Sequence, residues 1–208
     1  MSDVKGPEVT AERPESPIHV AGTDHVTVTG SNVEDTVAFY RDLLGMPLVL
    51  CQPNLDQPDV THLFFDTGDG RLLTFFVTED RPSNDGPRMD VGSVHHLAFK
   101  VEADRLEGVK RALEEDGRRY NEFDRGAFHS LYTRDNNGLT IELAADKYTI
   151  PDERRGEVLA MAQKKRVEAG AEYVDDEHME AALAELGIEV DRRELSDAPT
   201  GAGFSEES

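Results

Sequence analysis

The same order of predicted secondary structure occurs twice in this chain, and that repetition limits the possible folds more than any other feature. In the first half, an alternating, β-branched segment at residues 24–29 predicts a strand. Apolar residues at helical spacing from Val33 to Leu44 predict a helix after it. Three more strands are predicted at residues 47–51, 60–66 and 71–78.

The second half has the same order, with a strand at 95–101, a helix at 104–116 and three strands. These last strands are predicted at residues 119–123, 127–133 and 139–144. Repetition at this scale indicates two strand-helix-strand-strand-strand modules, residues 22–79 and 93–148. A small sheet cannot bury both faces alone, so we expect the modules to pair. The predicted fold is α+β, a curved mixed sheet around a cup, formed by residues 22–148.

The ends of the first helix carry specific signals. Ser31 followed three residues later by Glu34 predicts a capping box with Ser31 as the N-cap. Gly45 stands where a left-handed residue commonly ends a helix.

The segments outside the repeat differ in composition. Residues 1–20 and 189–208 are polar, lack periodicity and are predicted to be disordered. Residues 149–188 are predicted to form a helical appendix, with helices at about 157–169 and 177–186 that pack on the domain or on a partner chain.

The charge of the chain is strongly negative, with 43 acidic and 22 basic residues and a formal net charge of −21. This charge argues against binding to nucleic acid or to an anionic membrane. Because the acids are spread through the whole chain, we expect a halophilic source, in which salt screens the self-repulsion. No segment has the length and apolarity of a membrane span, which predicts a soluble, cytoplasmic protein. Cys51, the single cysteine, lies in an apolar run and is expected to be buried.

The two halves can be aligned residue by residue. Aligning their first strands places His25 opposite His96, and aligning their last strands places Thr74 opposite Glu142. Since side chains alternate along a strand, Glu142 points away from the core-like Ile141 and Leu143.

A carboxylate directed inward from an apolar strand is costly unless a cation compensates it. His25, His96 and Glu142 are therefore expected to hold one divalent metal. Two His and one carboxylate are the ligands of non-haem Fe(II) oxygenases. A satisfied core or surface histidine is the simpler interpretation for each His alone.

The sequence resembles the vicinal oxygen chelate superfamily, which includes glyoxalase I, extradiol dioxygenases and fosfomycin- and bleomycin-resistance proteins. Three stretches carry the resemblance: Asp24-His-Val, Phe39-Tyr-Arg-Asp-Leu-Leu-Gly-Met46 and Asn136-Asn-Gly-Leu-Thr-Ile-Glu142. A narrower resemblance is to hydroquinone-type ring-cleaving dioxygenases, through Thr61-His-Leu-Phe-Phe65 and the stretch from Asp124 to Asp135. It implies cleavage of a hydroquinone or catechol by dioxygen on Fe(II), with Mn(II), Zn(II), Ni(II) or Co(II) as alternatives.

The resemblance also implies roles for residues near the metal. His95, Tyr132 and Arg125 are the expected catalytic residues, through proton transfer or stabilisation of negative charge. The expected substrate-binding residues are Thr27, His62, Thr74 and His129.

Two other functions remain open at this stage. A glyoxalase-type lyase or isomerase would need a fourth ligand where Thr74 stands, and Thr74 cannot replace a carboxylate. A metal-free binding or resistance protein would not need the triad. Many members of the family with one pair of modules per chain are dimers, which implies a homodimer here. Whether the modules pair within one chain or between two chains stays open.

Overall fold

A computed structural model describes residues 8–82, 90–195 and 198 of the chain. Its strands are β1 (His25–Gly30), β2 (Leu48–Pro53), β3 (Thr61–Asp66), β4 (Leu72–Val77), β5 (His96–Lys100), β6 (Asn121–Asp124), β7 (Phe128–Arg134) and β8 (Thr140–Asp146). Its helices are α1 (Val33–Val37, continued by a π-helical turn at Ala38–Leu43), α2 (Leu106–Glu115), α3 (Arg155–Ala169) and α4 (Asp176–Glu185). Within the ranges given above, none of the helices combines the length and the apolarity needed to cross a bilayer.

The strands form two four-stranded mixed sheets with the same topology. The first sheet has the order β1-β4-β3-β2 and the second β5-β8-β7-β6, with β1 parallel to β4 and β5 parallel to β8. Thr27 pairs with Thr74 in the first sheet, as Ala98 pairs with Glu142 in the second. The predicted α+β fold of two repeated modules and C-terminal helices is confirmed.

The first helix begins one residue later than the capping-box prediction placed it. The N-cap is Asn32, whose side-chain oxygen accepts a hydrogen bond from the Asp35 amide at 2.8 Å. The Ser31 amide and hydroxyl instead donate to Asn137 Oδ1, each at 3.0 Å, across to the other module. Gly45 has a φ of +77° and follows the helix as predicted.

The two modules share one hydrophobic core. Phe39, Tyr40 and Phe75 of the first module pack in the same buried cluster as Leu131 and Ile141 of the second. This core lies on the helix side of the sheets. The two sheets have no strand pair in common among the described strands.

A buried hydrogen bond fixes the contact between the modules. The Tyr40 hydroxyl donates to Asp135 Oδ2 at 2.9 Å, and Asp135 Oδ1 accepts from the amides of Asn137 and Leu139 at 2.8 Å each. Burial and the neighbouring Asp135 carboxylate raise the pKa of Tyr40, which keeps its proton on this bond.

The appendix packs on the second module. Val158 and Ala162 of α3 and Met179 and Leu183 of α4 form a second apolar cluster with Tyr148. The buried ammonium of Lys147 lies between Asp124, at 2.8 Å, and Asp176 at the start of α4, at 2.7 Å.

The first residues of the predicted C-terminal tail contact the second module and the start of α4. The amide of Thr149 donates to Asp191, the amide of Arg193 donates to Lys147, and the Arg192 guanidinium pairs with Asp176. Residues 191–193 therefore lie against the end of the second module. The rest of the predicted tail, at 196–197 and 199–208, lies outside the described residues, as do residues 1–7 of the predicted arm; residues 8–20 contain no helix or strand.

The expectation that Cys51 is buried is wrong. Cys51 is exposed, as are its neighbours Val49 and Leu50, because β2 is the outer strand of the first sheet and has only β3 beside it among the described strands.

The bond between Tyr40 and Asp135 predicts a specific loss of stability. Tyr40→Phe should lower the free energy of unfolding by about 1.5–3 kcal/mol, because it removes a buried hydrogen bond to a charged acceptor. Tyr173, which is 74% exposed, offers a matched control, and Tyr173→Phe should change stability by less than about 0.5 kcal/mol. Urea unfolding measures both values, and equal stability of the two variants would contradict the role given to this bond.

Candidate functional site

Glu142 is the centre of a polar cluster on the face of the second sheet that points away from the shared core. It lies on β8 between the core residues Ile141 and Leu143 and is itself only 3% exposed. The Ser130 hydroxyl donates to Glu142 Oε1 at 2.6 Å, and His96 Nε2 lies 2.9 Å from Oε2. Two neighbouring strands thus hold both oxygens of the buried carboxylate.

His95 orients the ring of His96. The Nδ1 atoms of the two rings lie 2.9 Å apart, so one of them donates and the other accepts. Since β5 pairs with β8, and Ala98 stands opposite Glu142, His96 projects over the carboxylate from the adjacent strand.

Tyr132 and Arg125 extend the same cluster. The Tyr132 ring lies 5.9 Å from the His96 ring and perpendicular to it, and the Arg125 guanidinium lies 5.2 Å from the centre of the Tyr132 ring. Burial raises the pKa of the Tyr132 hydroxyl, the hydrogen bond from Arg125 opposes this effect, and Glu142 adds to it. Tyr132 is therefore protonated at neutral pH and can act as a donor at Oη. We call the group of His95, His96, Arg125, Ser130, Tyr132 and Glu142 the second-module patch.

The exposed face of the first sheet carries a second polar group. His25 Nδ1 lies 2.6 Å from Asp24 Oδ1, and the Thr74 hydroxyl donates to Thr27 Oγ1 at 2.7 Å. His25 and Thr27 are exposed, and strand alternation places them on the face that also carries Thr74 and His62. We call His25, Thr27, His62 and Thr74 the first-module patch.

His62 lies in this patch between two aromatic rings. Its ring centre is 3.9 Å from that of Phe64 and 4.5 Å from that of Phe76. Its Nε2 is the buried side-chain nitrogen without a hydrogen-bond partner among the residues that the structure describes. Burial lowers the pKa of His62, and the nearby His25 lowers it further, so this ring is neutral near pH 7.

The structure brings two of the three expected metal ligands together within one chain. His96 and Glu142 are in direct contact, whereas His25 belongs to the first-module patch. Across residues 8–82, 90–195 and 198, no group of three or more His, Cys, Asp or Glu side chains is arranged to hold an ion. Within the described part of one chain, the expected ligand His25 is thus not grouped with His96 and Glu142.

His129 lies apart from both patches. It is 2% exposed, and its Nε2 is 2.6 Å from Glu122 Oε1, which also contacts Lys110. Because His129 and Tyr132 are three residues apart on β7, they point to opposite faces of the sheet. This position does not support the expected role of His129 in substrate binding.

The sequence analysis did not identify Ser130. The signal was present, because Ser130 and Tyr132 are two residues apart on β7 and therefore share a face. The hydroxyl of Ser130 could have been recognised as a partner for a carboxylate on the next strand.

Solved structures resemble the fold over about three fifths of the chain. A dioxygenase structure from Bacillus subtilis (strain 168) matches with a TM-score of 0.55 and 25% identity, over 61% of this chain and 41% of that one. A glyoxalase/dioxygenase from Nostoc punctiforme matches with a TM-score of 0.53 and 17% identity, over 66% of this chain and 99% of that one. The second likeness concerns the fold alone.

Two curated relatives from Bacillus subtilis (strain 168) are named as ring-cleaving dioxygenases. MhqA is 29% identical over 127 residues, which cover 60% of this chain and 40% of MhqA. MhqE is 30% identical over 99 residues, which cover 46% of this chain and 32% of MhqE. The chain thus spans less than half of the length of either relative.

The model of one protein family matches residues 22–143, which are more than half of the 208 residues and cover the first module and all but the last five residues of the second. The chain belongs to the Glyoxalase/Bleomycin resistance protein/Dioxygenase superfamily.

Proposed function

We propose that this protein is an extradiol-type ring-cleaving dioxygenase that acts on a hydroquinone or catechol, with Fe(II) held by His25, His96 and Glu142. The observation that carries the proposal is the contact between His96 and the buried Glu142, with His95 and Tyr132 beside it. The names of MhqA and MhqE support the same reaction class.

The residues of the second-module patch fit a metal of this kind. An imidazole nitrogen and a carboxylate oxygen 2.9 Å apart are two of the donors of a two-His-one-carboxylate site. Ser130 contacts Glu142, and His95 contacts His96, as residues that orient metal ligands do. Bound Fe(II) would supply a redox-active ion with coordination positions free for the substrate and dioxygen.

The other residues of the patch would donate a proton to the substrate and stabilise negative charge. Tyr132 presents its proton at Oη beside Glu142, where it can donate to an oxygen of the substrate. Arg125 donates to the Tyr132 hydroxyl and so favours negative charge at that position. His95 holds the ring of His96 in place through the contact between their Nδ1 atoms.

Thr74 argues for a dioxygenase over a glyoxalase-type enzyme. It occupies the position of the first sheet that is equivalent to Glu142, and its hydroxyl is bonded to Thr27. A glyoxalase-type site would need a carboxylate at this position as its fourth ligand, and Thr74 does not supply one.

We further propose that the protein acts as a homodimer, in which His25 of one copy joins His96 and Glu142 of the other. On the free edge strands β1 and β5, the side chains of His25, Thr27 and Ala98 are exposed. A twofold assembly that brings the first-module patch of each copy to the second-module patch of the other would cover both faces and complete two sites.

The reaction class predicts oxygen consumption. With Fe(II) at high salt, the protein should consume oxygen with a hydroquinone or catechol, and Tyr132→Phe should lower the rate by about 100-fold. An oxygen electrode measures the rate, with the exposed Tyr173→Phe as the matched control. Oxygen uptake no faster than that of His96→Ala would rule out the proposed reaction.

Metal content tests the ligands separately from the activity. Wild-type protein should bind one ion per chain, and His25→Ala, His96→Ala and Glu142→Ala should each abolish stoichiometric binding. Ser130→Ala should lower the affinity about tenfold, because it removes an outer-shell partner. His19→Ala, at an exposed histidine, is the control. Full metal occupancy in His96→Ala, measured by elemental analysis, would disprove the assignment.

Mixing of inactive variants tests the shared site. His25→Ala and Glu142→Ala chains, unfolded together and refolded, should recover about one quarter of the wild-type activity. Random pairing makes about half of the dimers mixed, and each mixed dimer has one intact site of its two. Each variant refolded alone is the control. If the mixture stays inactive while wild-type protein recovers after the same treatment, the ligands do not come from two copies.

A further inference from the structure

Arg125 holds a defined position at one end of the second-module patch. It follows β6, and its amide donates to the carbonyl of Phe128 at 2.9 Å, which closes the tight turn into β7. Its guanidinium lies over the Phe123 ring at 4.6 Å and the Tyr132 ring at 5.2 Å. The backbone turn and the two rings therefore fix this cation.

Among the described residues, Arg125 has no carboxylate partner for its positive charge. Arg118, Arg155 and Arg192 each pair with a carboxylate within 3 Å, but no Asp or Glu within residues 8–82 and 90–195 forms an ion pair with Arg125. What distinguishes Arg125 is its place beside the second-module patch, where its guanidinium lies over the rings of Phe123 and Tyr132. The cation–π contacts stabilise the guanidinium only in part, and its planar N–H donors match the two oxygens of an anion.

The position of Arg125 also fits the size of the proposed substrate. The Tyr132 ring is a common neighbour of the Arg125 guanidinium, at 5.2 Å, and of the His96 ring, at 5.9 Å, so both groups lie close to the same aromatic side chain. A ring whose hydroxyl lies near His96 and Glu142 would extend along Tyr132 and place a substituent at Arg125.

We propose that Arg125 binds an anionic substituent, a carboxylate in its simplest form, on the aromatic ring of the substrate. The inference rests on the proposed function for the identity of the ring, and it narrows the substrates to acid-substituted hydroquinones or catechols. With a net charge of −21, the electrostatic field of the protein repels anions. An anionic substrate therefore needs a local cation such as Arg125 to bind.

A pair of probes that differ only in charge tests this inference. Dihydroxybenzoate and the matching dihydroxybenzamide have the same ring, hydroxyl groups and shape. Calorimetry on metal-free protein should give a dissociation constant at least about tenfold lower for the carboxylate, as expected for a charge-assisted pair. Arg125→Gln should abolish this preference, and Arg125→Lys should keep part of it.

The control is Arg111→Gln, which removes the same charge from an exposed position on α2 and should keep the full preference. Equal binding of the two probes by wild-type protein, or an unchanged preference in Arg125→Gln, would overturn the inference. If neither probe binds the metal-free protein, the titration is repeated without oxygen on metal-loaded protein. If the metal-loaded protein also shows no preference for the carboxylate probe, the inference about Arg125 is overturned. Since binding requires no oxygen uptake, a preference for the carboxylate without ring cleavage would refute the proposed function and leave the role of Arg125 intact.

Discussion

The buried carboxylate of Glu142 is the interaction on which the second-module patch depends. A carboxyl group that is 3% exposed is stable only if its oxygens are bonded, and here Ser130 and His96 each contact one oxygen. Strand pairing makes this possible, because β7 and β5 flank β8 on its two sides. The positions of His95 and Tyr132 follow from those of His96 and Glu142.

The way in which the modules meet explains why the two patches stay apart. The helix side of each sheet forms the shared core, and Tyr40 reaches across it to Asp135. The opposite faces, with His25 on one and His96 on the other, belong to separate sheets. Packing on the helix side thus joins the modules and leaves His25 and His96 on different sheets.

Lys147 and Arg125 show two ways in which cations are held in this acidic chain. Most lysines of the described chain lie in ion pairs, and Lys147 is held by two carboxylates that attach the appendix to the second module. Arg125 instead lies over aromatic rings at one end of the second-module patch. A guanidinium held in this way can discriminate ligands by charge in a chain whose overall field is negative.

The amino-acid sequence by itself determined the repeat, the order of the elements and the exceptional position of Glu142, because strand and helix periodicity are local properties. Strand alternation along β7 also places Ser130 on the same face as Tyr132 and His129 on the opposite face. The expected site residues nevertheless included His129 and left out Ser130. The choice of Asn32 over Ser31 as N-cap depended on Asn137, and the exposure of Cys51 depended on which strand lies at the edge. Only the tertiary structure decided that His25 is separated from His96 and Glu142, because the side on which two modules pack is fixed by long-range contacts that local periodicity does not encode.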